Sequence, residues 1–327
     1  MQAERNTAVS AAHAAGQLAM VIRREAFQQE DTMEKIGREP VTVADFSAQA
    51  VILKMLAQAF PDDGVLAEEK AEDFTRLSGE RTHAQVLHYV GQAVDQSVTA
   101  DDISTWLDFG RGKGNRRFWT VDPIDGTKGF IRGDQFAIAI ALIVDGIVEV
   151  GVLCCPAMPF DPARPDSSGG VIAAAVRGEG TSLLPMDDIS KQHAASVTTV
   201  PDPEAARVVE SVEKKHTDHG FSARVLEEAG VGGDPVRIDS QAKYLAVADG
   251  RAEIYIRNSR DGHVERIWDH AAGALVVTEA GGRVTDLDGK TLDFSRGAYL
   301  DANRGILATN GPIHDPILAA IEAVSQR

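Results

Sequence analysis

The chain has 327 residues, 43% of them hydrophobic and 25% charged, enough for two packed domains or one large layered one. Its 33 basic against 49 acidic side chains give a formal charge of −16, which excludes bulk-charge binding to nucleic-acid polymers or anionic membranes. No apolar run approaches the ~20 residues that span a bilayer.

The N-terminal stretch MQAERNTAVSAAHAAGQLAMVIRREAF predicts an amphipathic helix. It lacks the regions of a secretory signal, and Glu4 and Glu25 argue against a transit peptide. The expected location is the cytoplasm, or an organelle if a transit peptide has been removed. After a polar turn around Glu34 to Pro40, a capping-box-like start at Thr42-Val43-Ala44-Asp45 leads into a helix. That helix carries Phe46, Ala50, Leu53, Ala57 and Phe60 on one face. Val65 to Ala67 reads as a short strand ending in Glu68, Glu69 and Lys70. Residues 71–117 predict one or two helices and a basic loop, GRGKGNRR, which lacks the terminal Lys-Ser/Thr of a P-loop.

From Phe118 the pattern turns to β. FWTV leads into the turn DPIDGT, Gln135–Val144 is a continuous apolar strand, and Asp145-Gly146 turns it back into IVEVGVLC. Cys154 and Cys155 are adjacent, a poor spacing for a structural disulfide, and read as buried reduced thiols. Pro156, Pro159, Pro162 and Pro165 mark a loop where the domain boundary is expected. This divides the chain into an α+β domain at 1–160 and an α/β domain at 161–327. In the second, VIAAAV, TSLL, ARVVES, VRIDS, AEIYIR and ILATN alternate with helices near 218–229, from Gln241 and from Asp269.

Chemistry gathers at the ends of these elements. Asp122 and Asp125 flank Pro123, which stiffens the turn, and hard divalent cations need several oxygens on such a turn. The amides after Gly126 would meet a phosphate if a helix starts there. Glu68 and Asp269, the latter in IWDHAAGALVVTEAGG, also stand at element ends. Each acid alone reads more readily as a structural residue: Glu68 as a solvated strand end, Asp122 and Asp125 as turn caps, and Asp269 as a helix N-cap.

Taken in order, Glu68-Glu69, DPIDGT and WDHAAG resemble the inositol monophosphatase superfamily of magnesium-dependent, lithium-sensitive phosphatases over nearly the whole chain. Within it, PVTVADFSAQAVI, KGFIRGDQF, SVEKKH, DSQAKY and ERIWDHAAG resemble the 3′(2′),5′-bisphosphate nucleotidases. One departure is VLCCPAMP, where relatives often carry a glycine before a single cysteine.

The resemblance implies a layered αβαβα sandwich of the inositol monophosphatase and fructose-1,6-bisphosphatase type. It implies two or three Mg2+ ions, with Mn2+ as a substitute and Li+ as an inhibitor. The metal ligands would be Glu68, Asp122, the Ile124 carbonyl, Asp125 and Asp269. Asp45 and Thr127 would be the catalytic pair, and the Gly126 and Thr127 amides would hold the scissile phosphate. His216, Ser240, Lys243, Arg257 and Asp269 would hold the nucleotide; cations in a cleft suit a second phosphate despite the acidic whole. The HxxH of His216 and His219 lacks further ligands and is not read as a zinc site. The implied reaction converts adenosine 3′,5′-bisphosphate to AMP and phosphate, and 3′-phosphoadenosine 5′-phosphosulfate to adenosine 5′-phosphosulfate. The alternatives are an inositol (poly)phosphate 1-phosphatase and a silent nucleotide or metal sensor. A small-molecule substrate and a monomer are expected.

Overall fold

The computed structural model describes residues 1–29, 39–76, 80–114, 116–161, 169–212, 219–258 and 264–327. Five layers stack as helices, sheet, helices, sheet, helices, and three apolar cores hold them, the second of which packs the middle helices against both sheets. The first layer is α1 (Gln2–Gln29) and α2 (Glu39–Ala59). The inner face of α1 is rich in alanine, with Ala8, Ala11, Ala12, Ala15 and Ala19 buried, so the helix lies close against its neighbours.

The first sheet has seven strands in chain order. They are β1 (Gly64–Ala67), β2 (Arg117–Asp125), β3 (Ala137–Val144), β4 (Ile147–Cys155), β5 (Val171–Val176), β6 (Gly180–Pro185) and β7 (His193–Ala194). β1 runs parallel to β2, and every later pairing is antiparallel. The two faces of β3 divide by size. Ile138, Ile140 and Leu142 meet α1 and α2, whereas Ala137, Ala139 and Ala141 face the middle layer. Ala173 and Ala175 of β5 extend that smooth face, which admits two helices at close range.

Those middle helices are α8 (Ala242–Ala248) and α9 (Ala271–Glu279). All seven residues of α8 are buried, as a helix between two sheets requires. The second sheet has the order β11-β12-β10-β8-β9. Its strands are β8 (Val208–Glu210), β9 (Val236–Arg237), β10 (Ile254–Arg257), β11 (Arg283–Thr285) and β12 (Ile306–Thr309). The outer layer is α7 (His219–Glu228) and α10 (His314–Ser325), whose Phe221, Val225, Ile317 and Ile321 close the third core.

Several sequence expectations are corrected. The sheets do not divide at 160/161: VIAAAV and TSLL extend the first sheet, and the change of sheet falls between Ala194 and Val208. α2 begins at Glu39 rather than Thr42, which places Asp45 inside the helix. Three helices, α3 (Ala71–Arg76), α4 (Glu80–Val94) and α5 (Ala100–Leu107), occupy the stretch expected to hold one or two. Asp269 ends a short 3-10 turn, Ile267–Asp269, and α9 starts only at Ala271, so Asp269 is not the cap of that helix. The strand β11 and the helix α10 were not anticipated.

Candidate active site

The parallel pairing of β1 with β2 places their C-terminal ends side by side, and the Glu68 N–H donates to the Val121 carbonyl at 3.2 Å. Glu68 therefore leaves β1 beside Asp122. The β2–β3 register then shifts between Asp122, opposite Ala139, and Asp125, opposite Ala137, so Pro123 and Ile124 bulge out of the ladder and hold the two acids at one corner. Gly126 follows at φ 88°, a left-handed conformation, and a Cβ there would meet the Cβ of Ser240 at 2.8 Å. Both facts demand glycine. Immediately beyond it, α6 (Thr127–Arg132) begins with an exposed Thr127.

A clip from α2 sets the other acids. The Gln49 amide donates to the Glu69 carbonyl at 2.7 Å and accepts the Glu69 N–H at 2.9 Å. Asp45 lies one helical turn before Gln49 and is itself buried. Burial, then the charges of Glu69 and Glu68, push its carboxyl well above the usual range. Glu69 is pushed up to about 7, by burial and then by Glu68 and Asp73.

Asp122 is 3% exposed, and its Oδ1 has no hydrogen-bond partner. Burial and the surrounding Glu68, Asp125 and Asp269 drive its pKa well up. Asp269 is raised too, first by burial, then by Asp125, with Arg257 opposing. Glu68 is exposed to the cleft, yet its pKa also rises, through desolvation and the charge of Asp125. A buried carboxylate oxygen without a donor, among like charges, is what a divalent cation relieves. These residues fit the metal set that the resemblance implies.

The facing wall carries the cations. The Gln241 N–H donates to Asp125 Oδ2 at 2.6 Å, and the Gln241 side chain donates to the Trp268 carbonyl at 3.0 Å. Gln241 thereby ties DPIDGT to the Trp268-Asp269 turn. Ser240, just before it, has φ 68° and accepts the Ala242 N–H through Oγ at 3.2 Å. Lys243 is buried, donates to Ser211 Oγ at 3.2 Å and lies 5.4 Å from the Tyr255 ring centre. Burial pulls its pKa down to about 8.

Arg257 binds both oxygens of Glu265, Nε to Oε1 at 2.8 Å and Nη2 to Oε2 at 2.7 Å. Behind Glu265, His270 Nε2 lies 3.0 Å from Oε2, and the Tyr244 hydroxyl is 2.8 Å from His270 Nδ1. Burial lowers the His270 pKa, so the ring is neutral, donates from Nε2 and accepts at Nδ1. Asp269 stands 3.9 Å from Arg257.

The family model described as the inositol monophosphatase family matches residues 1–326. The chain belongs to the inositol monophosphatase family. Among curated relatives, it is 36% identical to the 3′(2′),5′-bisphosphate nucleotidase of Emericella nidulans, over 96% of this chain and 97% of that protein. It is 38% identical to the protein of that name from Oryza sativa, over 98% and 94%. Among solved structures of the family, Mycobacterium tuberculosis SuhB superposes with a TM-score of 0.63 at 25% identity, over 98% of this chain and 96% of that one. CysQ from Bacteroides thetaiotaomicron gives 0.63 at 21% identity, over 94% and 97%.

The fold thus gathers Asp45, Glu68, Asp122, Asp125 and Asp269 into one electrostatic cluster, with Lys243 and Arg257 opposite. Ile124 buries its side chain in the first core, which anchors the peptide between the two aspartates. His216 lies outside the described residues. Among the described residues, no hydrogen bond joins the Thr127 hydroxyl to Asp45. Gln49, Gln241, Glu265 and His270 had no assigned role in the sequence reading. All four stand in segments that carry the resemblance, but only packing reveals their partners.

Proposed function

We propose that the chain is a Mg2+-dependent, lithium-sensitive phosphatase that removes the 3′-phosphate of adenosine 3′,5′-bisphosphate, releasing AMP and phosphate. 3′-Phosphoadenosine 5′-phosphosulfate is its second substrate. The observation that carries this reading is that crowded carboxyls stand on one side and the buried Lys243 and half-buried Arg257 on the other. A molecule with two anionic groups answers both walls, one at the metal side and one at the cations. The names of the Emericella and Oryza relatives support a bisphosphorylated nucleotide as that molecule.

In this reading Glu68, Asp122, the Ile124 carbonyl, Asp125 and Asp269 hold the Mg2+. Bound there, the ions would neutralise charge on the phosphoryl oxygens and make a water more acidic. The amides of Gly126 and Thr127 steady the scissile phosphate. The Thr127 hydroxyl takes the proton of the attacking water and passes it to Asp45, once the two close on substrate. The water oxygen ends on the phosphate, the P–O3′ bond breaks, and the 3′-oxygen leaves as a hydroxyl by taking a proton from a second, solvent water. Ser240, Lys243, Arg257 and His216 hold the rest of the nucleotide.

The test is phosphate release in Mg2+ from adenosine 3′,5′-bisphosphate, 3′-phosphoadenosine 5′-phosphosulfate and inositol 1,4-bisphosphate. The nucleotides should be turned over fastest, and millimolar Li+ should suppress the reaction. Faster release from the inositol phosphate would favour the 1-phosphatase, and release from none would favour a sensor.

A further inference from the structure

We propose that the ion pair between Arg132 and Asp239 is a latch that seats the cation wall against the carboxylate wall and thereby sets the preference for bisphosphorylated nucleotides. Both are positioning residues that act through Ser240, Gln241 and Lys243. What the pocket holds rests on the function proposed above; the latch itself is read from geometry.

Arg132 is the last residue of α6, the helix that opens directly after the DPIDGT turn. Asp239 immediately precedes Ser240. The two meet through Arg132 Nη2 and Asp239 Oδ2. The other oxygen, Oδ1, accepts the Val212 N–H at 3.0 Å. One carboxylate therefore gathers three segments far apart in the chain: KGFIRGDQF, the start of SVEKKH, and DSQAKY. All three are segments by which the sequence resembles the nucleotidases. Their meeting at one buried carboxylate is a tertiary fact that no single segment carries.

The consequences fall on the pocket. Ser240 is held at φ 68°, costly for a residue with a Cβ, so the chain on both sides must hold it. Asp239 does so on one side, and the Gln241 N–H to Asp125 bond on the other. Ser211, next to Val212, accepts from Lys243 Nζ. Anchoring Asp239 thus fixes both the start of α8, which carries Lys243, and the partner that Lys243 points to. Without the latch those two can drift relative to Asp125.

The pair is asymmetric. Arg132 also binds Asp134 Oδ2 at 2.8 Å, so removing the Asp239 charge leaves the guanidinium a partner. Removing Arg132 leaves Asp239, 7% exposed, with the Val212 amide. Asp239→Asn is the cleaner probe, with Arg132→Gln as the second variant and Arg132→Lys as the conservative one.

Steady-state kinetics in Mg2+ should be run on adenosine 3′,5′-bisphosphate and inositol 1,4-bisphosphate. In Asp239→Asn and in Arg132→Gln the nucleotide KM should rise about tenfold, the scale of one lost charge-assisted hydrogen bond. The kcat should stay within about twofold, the inositol phosphate KM should move less than the nucleotide KM, and Arg132→Lys should retain most of the preference. Equal losses on both substrates, a loss in kcat alone, or no change in either variant would overturn the latch. A wild type inactive on both substrates defeats the proposed function instead. In that event, the dissociation constant of adenosine 3′,5′-bisphosphate by calorimetry reads the latch with the same expected shift.

Discussion

The two walls of the cleft are built on opposite principles. On the wall formed by β1, β2 and α2, acids are left short of donors: Asp122 Oδ1 has no partner, and burial and mutual repulsion raise the pKa of Asp45, Glu68 and Asp122. On the wall formed by α8, β10 and the Trp268 turn, the charges are partnered within the protein. Arg257 takes both oxygens of Glu265, His270 backs Glu265, and Tyr244 backs His270. Glu265, Asp269 and His270 have ligand atoms all within 4.8 Å of one another, the spacing of a metal site. Yet Glu265 and His270 are committed to Arg257 and Tyr244. Proximity of ligand-type side chains is therefore a weak sign of a metal, and the lack of donors is the stronger one.

The contrast breaks first at Asp125. Asp125→Ala should lower Mg2+-dependent phosphate release by roughly a thousandfold, the scale of a lost metal ligand and its transition-state charge stabilisation. A variant that kept a tenth of the activity would mean that the acid wall is not the reaction centre.

The partnered wall should fail differently. Glu265→Gln strips the charge from a buried pair, and should cost about 3 kcal/mol in urea unfolding, since Arg257 is left under-compensated. An unchanged midpoint would show that the network is not needed to hold Arg257.

A fully partnered site outside the cleft sharpens the comparison. His314 is buried, its Nε2 lies 3.0 Å from Thr285 Oγ1 and its Nδ1 2.9 Å from Thr309 Oγ1. Thr285 Oγ1 donates to the Asp286 carbonyl, so it accepts from Nε2, and Nδ1 accepts from Thr309. Burial pulls the His314 pKa down to about 4, from the ordinary histidine value of 6.5. Because the folded-state value is the lower one, the contribution is complete above about pH 6.5 and is lost as pH falls towards 4. By pH 5 the loss should be about 2 kcal/mol at 1.36 kcal/mol per unit. Stability measured against pH should lose this acid limb in His314→Gln, and an unaltered limb would refute the assignment.

The smallest effect returns to the acid wall. In chelator, Asp122→Asn should stabilise the fold by about 1 kcal/mol, because it removes one of several crowded charges. In Mg2+ at a hundred times its dissociation constant the wild type should gain about 2.7 kcal/mol, and the variant much less. A variant that is less stable in chelator would mean that the crowding is relieved without a cation.

Legibility followed the range of the interactions. The DPIDGT turn was readable because its stiffness, its two acids and its glycine are neighbours in sequence, and the β3–β4 hairpin because Asp145-Gly146 supplies two residues with positive φ, 49° and 80°. The change of sheet between Ala194 and Val208 was not legible because β5 is apolar on both faces, and such a strand carries no mark of which sheet it joins. Asp45 sits mid-helix because α2 starts three residues before the capping pattern suggested. Glu265 and His270 escaped notice because a buried polar pair has no periodicity to betray it.

By itself the sequence determined which acids stand at strand ends and where the chain turns, since each rests on spacing within a dozen residues, and which family the chain belongs to, since that rests on the order of such short motifs along the chain. Only the tertiary structure decided which acids lack donors and which cations are partnered. Asp125 meets Gln241 across 116 residues and Arg132 meets Asp239 across 107, and such pairs are chosen by the packing of whole layers rather than by any local pattern.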